Sequence, residues 1–433
     1  MSKQKPINIT ISGGRIIDPA NGVDKVADLH IADGKVLAEG KAPKDFKAGQ
    51  TIDANGCLVT PGLIDLSVHL REPGYEHKGT IASETRAAVS AGVTTVICPP
   101  DSDPIADSAA VVELIHRQAQ AAGRAHVLPL GALTKNLDGE QLSEMSTLKE
   151  AGVIGLSNAR RPVSNTLVLR RAMEYAVTHN MCVCLSAADP WLADKGVAHE
   201  GAVSTRLGLP GIPEAAETVT VSRDLLLIEE TGVSAHFGRL STAKAAQLIG
   251  RAQHDGLHIS ADVAIHQLYL TDIDIRNYDS NCHVNPPLRS QRDKDGLRDA
   301  VSKGVIKAIC SDHQPHEADA KLMPFAETEA GISGLETLLP LVLRLADEGS
   351  MSLSDALATV TSGPAEILGI EAGKLSVGAP ADIAIIDPDA SWFVSKDNLR
   401  SHGHNTPFLG WEMTGRTKHT LVDGQLVYSA DHD

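Results

Sequence analysis

Between residues 61 and 369 the chain alternates an apolar, strand-like run with an amphipathic, helix-like stretch, and does so eight times. The apolar runs fall at 63–70, 94–98, 126–130, 152–156, 182–185, 234–240, 259–265 and 306–311. Helix-like stretches between them include 82–91, 109–122, 167–178, 215–231 and 242–255. Few architectures accept this rhythm. Parallel strands need a crossover between neighbours, usually a helix, and eight such units point to an α/β fold of the (β/α)8 TIM-barrel type. In such a barrel the functional side chains project from the C-terminal ends of the strands.

The two ends of the chain have a different texture. Short alternating strands with glycine punctuation fill 7–60, as at 7–11, 14–18 and 28–34, and the same pattern returns at 373–387 and 420–428. This suits a small β-sandwich or β-meander. The expected organisation is one composite β domain built from 1–60 plus 370–433, around a barrel at 61–369. A length of 433 residues accommodates both.

The apolar runs are far shorter than the roughly 18 residues a membrane span needs, and the start, Met-Ser-Lys-Gln-Lys-Pro, lacks an apolar signal core. A cytoplasmic protein is expected. The net charge of −16 argues against nucleic acid or an anionic membrane as partner. The six cysteines mostly sit in apolar runs and are expected to be reduced core thiols. Cys182 and Cys184 alternate on one strand and could bind a soft metal, but no second pair accompanies them.

The stretch at 61–74 delivers polar side chains to the end of the first barrel strand. Residues two apart on a strand point the same way, so Asp65, Ser67, His69 and Arg71 are expected to share a face. Histidines at both 67 and 69 would make a metal-binding pair. Here the first is serine.

The segments at 65–74, 96–104, 285–289 (Asn-Pro-Pro-Leu-Arg), 311–316 (Ser-Asp-His-Gln-Pro-His), 331–336 and 405–408 (Asn-Thr-Pro-Phe) together carry a resemblance to the dihydroorotases of the amidohydrolase superfamily. It runs nearly end to end. The resemblance implies a barrel with a composite β domain, and a reaction that cyclises carbamoyl aspartate to dihydroorotate reversibly. In the family one or two zinc ions activate water, and an aspartate on the last strand shuttles the proton. Carried over position by position, the ligand set is largely missing. The first-strand pair is Ser67 and His69, the strand-four acid is replaced by Asn158, the strand-five histidine by Ser186 and the strand-six histidine by Arg239. His69 and Asp312 remain, as vestiges.

Hydroxyl and amide groups are poor zinc ligands, and a guanidinium keeps its charge at any physiological pH. Without a metal, water's pKa returns from about 7 towards 15.7, a deficit that Asp312 cannot make up as a base. Arg239 is expected instead to replace the metal's charge by pairing with Asp312 or Asp65. His236, His266, His283, His313 and His316 lie near these segments, which leaves open a relocated one-metal site through His69, Asp312 and a neighbour.

On the substrate side the resemblance maps Arg71, Asn285 and His316 onto positions that contact dihydroorotate in the family. Asp101 stands where the family has asparagine and opposes an anionic ligand unless it is paired or protonated. Arg71 has a structural alternative, a salt bridge to Asp65 or Asp101. The family also includes metal-less chains that act as noncatalytic partners of aspartate carbamoyltransferase, and this chain resembles those in its pattern of departures. The implied role is a pseudoenzyme without cofactor, in a hetero-oligomer with that transferase and with self-association left open. The alternatives are a zinc hydrolase of cyclic amides with an atypical site, and a binding module using Arg71, Asn285 and His316.

Overall fold

The computed structural model describes residues 7–431. The chain opens with β1 (Ile9–Asp18), β2 (Val23–Ala32), β3 (Lys35–Glu39), β4 (Gln50–Asp53) and β5 (Leu58–Pro61). Strands β6 (Leu63–Asp65), β7 (Val93–Cys98), β8 (His126–Pro129) with its continuation β9 (Gly131–Ala132), β10 (Leu156–Ser157) and β11 (Val183–Ser186) follow, separated by helices. A small ribbon, β12 (Ala198–His199) with β13 (Gly211–Ile212), interrupts the alternation before β14 (Ala235–Gly238), β15 (Ile259–Ala264) and β16 (Ala308–Cys310). The chain ends in β17 (Ile383–Phe393), β18 (Glu412–Val422) and β19 (Gln425–Ser429).

Strands β6, β7 and β8 pair in parallel, as do β9, β10, β11, β14, β15 and β16 in that order. The ring closes just past the strand ends, where His69 N–H donates to His313 O (2.9 Å) and His313 N–H to Ser67 O (3.0 Å). Its core is apolar, with Val96, Val183, Phe237, Val263 and Ile309 fully enclosed. The outer helices start on explicit caps. Thr242 Oγ1 accepts from Ala245 N–H (3.1 Å) to begin Ala243–His254, and Asn165 Oδ1 accepts from Leu167 N–H (3.0 Å) to begin Thr166–Thr178. Each such cap contributes about 1 kcal/mol.

Strands from both ends of the chain share one sheet, in the order β19-β18-β17-β5-β1-β2-β3, with β4 against β1. Its alternating inward residues, among them Ile9, Ile11, Ile31, Ile383 and Ile385, make a second core. Strand β5 runs straight into β6, so the two domains are joined at the barrel's N-terminal end, away from the mouth. No helix among the described residues is long and apolar enough to cross a membrane. All six cysteines are unpaired.

Candidate functional site

Regular strand β6 stops at Asp65, because its carboxylate turns to accept Ser67 N–H (3.2 Å) and Ser311 N–H (3.0 Å). It thereby ties the first and eighth strand ends together beneath the mouth. Burial pushes the Asp65 carboxyl up to about 7. The expected shared face of Asp65, Ser67, His69 and Arg71 therefore needs correction: past Asp65 the backbone leaves the strand, and Arg71 sits in the left-handed region at φ 64°. Ala159 (φ 51°), Arg239 (φ 58°) and Asp312 (φ 50°), past the ends of β10, β14 and β16, do the same. Each such residue costs on the order of 1 kcal/mol, which the surrounding barrel has to offset.

Asp312 is 1 % exposed and is the hub of the mouth. Its Oδ1 accepts from Ser67 Oγ (3.0 Å) and from Arg160 in a short contact, while its Oδ2 accepts from Gln314 Nε2 (3.3 Å). Arg239 Nε lies 3.7 Å from the same Oδ1, and Arg239 Nη1 donates to Ser67 Oγ (3.4 Å). Burial alone would push the Asp312 carboxyl up, but Arg160 and then Arg239 outweigh it and hold the group below its ordinary value. Of the two partners expected for Arg239, Asp312 is the one it reaches. Arg160 went unassigned in the sequence, yet it is the closer of the two cations and also donates to Asn285 O.

The other expected ligand positions have turned away or been neutralised. Asn158 is buried in the loop below, accepting from Thr134 Oγ1 (2.7 Å) and donating to Leu137 O (3.3 Å) and Arg161 O (2.8 Å). Ser186, at the end of β11, lines an open cavity of about 680 Å³ with Asn285 and Arg289. A second cavity of about 530 Å³ includes Ser67, His69 and Cys184, and Arg160 and Arg239 line both. His69 Nδ1 lies 3.3 Å from Asp101 Oδ2. Burial opposes ionisation of Asp101, but His69 and the nearby Arg71 and Arg160 outweigh it, so Asp101 stays a paired anion.

The three substrate-like positions are divided. Arg71 Nε donates to Pro315 O (3.0 Å), and its Nη2 packs 3.2 Å from His316 Nε2, so it makes no salt bridge to Asp65 or Asp101. His316 is held neutral, driven down to about 2 by burial and then by Arg71, and its Nε2 donates to Ala330 O (3.0 Å). Gly331 makes this fit possible: at φ 139°, a Cβ there would lie 2.6 Å from Gln314 Cβ and 3.1 Å from His316 Nε2. Asn285 is exposed and joins Arg160 instead.

Zinc does not fit this mouth. Each guanidinium, about 4 Å from an ion held on Asp312, would repel it by roughly 8 kcal/mol at an effective dielectric near 20. Two of them face the two residual ligands. The neighbouring histidines do not complete a shell either. His236 is spent on Ser260 Oγ (2.8 Å) and Asp262 Oδ2 (2.8 Å), His313 on Glu84 Oε2 (2.8 Å) and His283 on Thr328 Oγ1 (2.8 Å). His266 is 1 % exposed, its ring nitrogens unpartnered, and burial drives it down to about 4. Among the described residues, no three metal-ligating side chains converge at the mouth.

A closed eight-stranded barrel with a β domain drawn from both termini, and polar residues gathered at the strand ends, defines the amidohydrolase class. The L-hydantoinase (dihydropyrimidinase) from Arthrobacter aurescens has this fold, with a TM-score of 0.87 over 98 % of this chain and 96 % of that one at 24 % identity. Within the class, a dihydro-orotase-like family model matches residues 56–245 and an amidohydrolase family model residues 332–428. A dihydroorotase-like protein of Pseudomonas putida is 50 % identical over 425 residues, covering 98 % of this chain and all of that protein. A dihydroorotase of Geobacter sp. (strain M21) is 43 % identical over 424 residues, again covering 98 % of this chain and all of the other. The chain belongs to the dihydroorotase-like family.

Proposed function

We propose that this chain is a noncatalytic member of its family, with no metal at the barrel mouth, that acts in the cytoplasm, assembling with aspartate carbamoyltransferase of pyrimidine synthesis and stabilising it. The observation that carries the reading is the occupation of Asp312 by Arg160 and Arg239. A hydrolase needs that carboxylate free to take a proton and needs a cation to activate water. Here the carboxylate is neutralised by fixed side-chain charge. The barrel, its mouth loops and the β domain are nonetheless complete, which suits a protein retained for its surface.

Co-expression with the carbamoyltransferase tests the role. The transferase should co-elute with this chain and lose assembly or activity when the chain is omitted. A transferase that assembles and turns over equally well alone would refute the scaffold. The Geobacter relative, named a dihydroorotase and aligned over nearly the whole chain, supports a second reading as an active cyclic-amide hydrolase. Turnover of dihydroorotate that a chelator abolishes would establish that reading instead.

A further inference from the structure

A metal-ligating constellation does occur in the molecule, at the opposite end of the barrel. His126 opens β8 at the barrel's N-terminal end, Asp382 immediately precedes β17, and Asp423 sits in the turn between β18 and β19. His126 Nε2 lies 3.1 Å from Asp382 Oδ2 and 3.9 Å from Asp423 Oδ1. The three donor atoms fall within 4.8 Å of one another, and among the described residues no other histidine, cysteine or carboxylate trio does so. Ligands on a tetrahedral zinc-sized ion stand about 3.3 Å apart, so the distances here bracket what coordination asks.

The backbone holds these donors in place. Asp382 O accepts from Gly62 N–H (2.8 Å), Asp382 Oδ1 accepts from Asp423 N–H (2.8 Å), and Gly424 N–H donates to Ala381 O (3.0 Å). Asp382 is 7 % exposed, whereas the Asp423 side chain is 64 % exposed and leaves an approach from solvent. Two carboxylates here share one imidazole, and among the described residues neither has a lysine or arginine partner. A proton on that imidazole balances only one of the two carboxylates, whereas a divalent cation balances both. Mixed nitrogen and oxygen donors favour a first-row transition ion over magnesium or calcium.

We propose that His126, Asp382 and Asp423 bind one divalent transition-metal ion of the zinc class, clamping the barrel to the β domain through its noncatalytic end. The site is independent of the function proposed above. It also makes whole-protein metal content ambiguous, because zinc in the purified chain need not be at the mouth.

The test is a titration of the full chain with Co²⁺, read by visible absorption, and with Zn²⁺, read by calorimetry. One ion per chain should bind, without displacement by excess Mg²⁺. His126→Gln and Asp423→Asn should each weaken binding at least tenfold, and His69→Ala should leave it unchanged. Asp423 lies in an exposed turn, so its variant tests the site without threatening the fold. Absence of binding at about 100 µM ion, binding that survives both seam variants, or binding lost with His69→Ala would each overturn the proposal.

Discussion

Asp312→Asn is the sharpest probe of the mouth. The substitution keeps the shape and removes the charge that Arg160 and Arg239 share. At an effective dielectric near 20, the 3.7 Å separation from Arg239 alone corresponds to a Coulomb attraction of about 4 kcal/mol. Removing one partner of a buried pair typically costs about 3–5 kcal/mol net, since the remaining charge is stranded. An unfolding entropy of about 2.1 cal/mol/K per residue, over 433 residues, makes that a Tm decrease of about 3–5 °C at pH 7 if both domains unfold together. Arg239→Met leaves Asp312 with Arg160 and should cost less. In the double variant the losses should be non-additive, by at least about 1 kcal/mol. Because Asp312 is held below its ordinary value of 3.8, its contribution is present at higher pH and is lost as the pH falls through its folded pKa. The gap between wild type and Asp312→Asn should therefore close in acid. Calorimetric scans across pH measure all three effects. A variant within about 1 °C of wild type at pH 7, or strict additivity, would refute the charge-replacement argument.

Three further outcomes follow from the same geometry. Asp65 holds a proton in the folded chain up to about pH 7, so the stability it contributes is present in acid and lost as the pH rises from about 4 through 7; Asp65→Asn should gain on wild type by about 2–4 kcal/mol between pH 5 and 8 in urea unfolding, and a pH-independent difference would contradict this. Imidazoles placed at Ser67, Ser186 and Arg239 in a His126→Gln background should bind zinc weakly while Arg160 stays on Asp312, and adding Arg160→Ala should tighten binding more than about tenfold by calorimetry; equal affinities would mean that Arg160 is no obstacle. Glu84 accepts from His313 Nε2, Ser401 Oγ, Ser83 Oγ and His402 N–H, so Glu84→Ala should destabilise by about 3–5 kcal/mol and Glu84→Gln by clearly less, read from urea midpoints.

The barrel was legible because hydrophobic periodicity and caps agree. The helix expected at 109–122 is the helix observed, bounded by Ser108 and by Gly123 in the left-handed conformation. The run at 63–70 misled, because apolar alternation continues there while the backbone departs to bridge His313. That Ser67, Asn158, Ser186 and Arg239 offer hydroxyl, amide and guanidinium groups could be read letter by letter. What pairs with Asp312 could be read only in part. Arg239 was placed by its alignment with a ligand position, whereas Arg160 follows a left-handed Ala159 in a loop, where no periodicity tells a side chain's direction. Asn158 was legible as a non-ligand, but its inward turn towards Thr134 was not.

The charged groups at the mouth form a coherent electrostatic set. Asp312, Asp101 and Asp262 lie at the strand ends in a poorly solvated ring. Each now has its own counterpart: Arg160 and Arg239 for Asp312, His69 for Asp101, and His236 with the Arg239 N–H (2.6 Å) for Asp262. A buried carboxylate without such a partner would raise its pKa or open the strand ends. These pairings thus hold the strand ends of the barrel closed, and the two guanidiniums on Asp312 at the same time oppose a cation there.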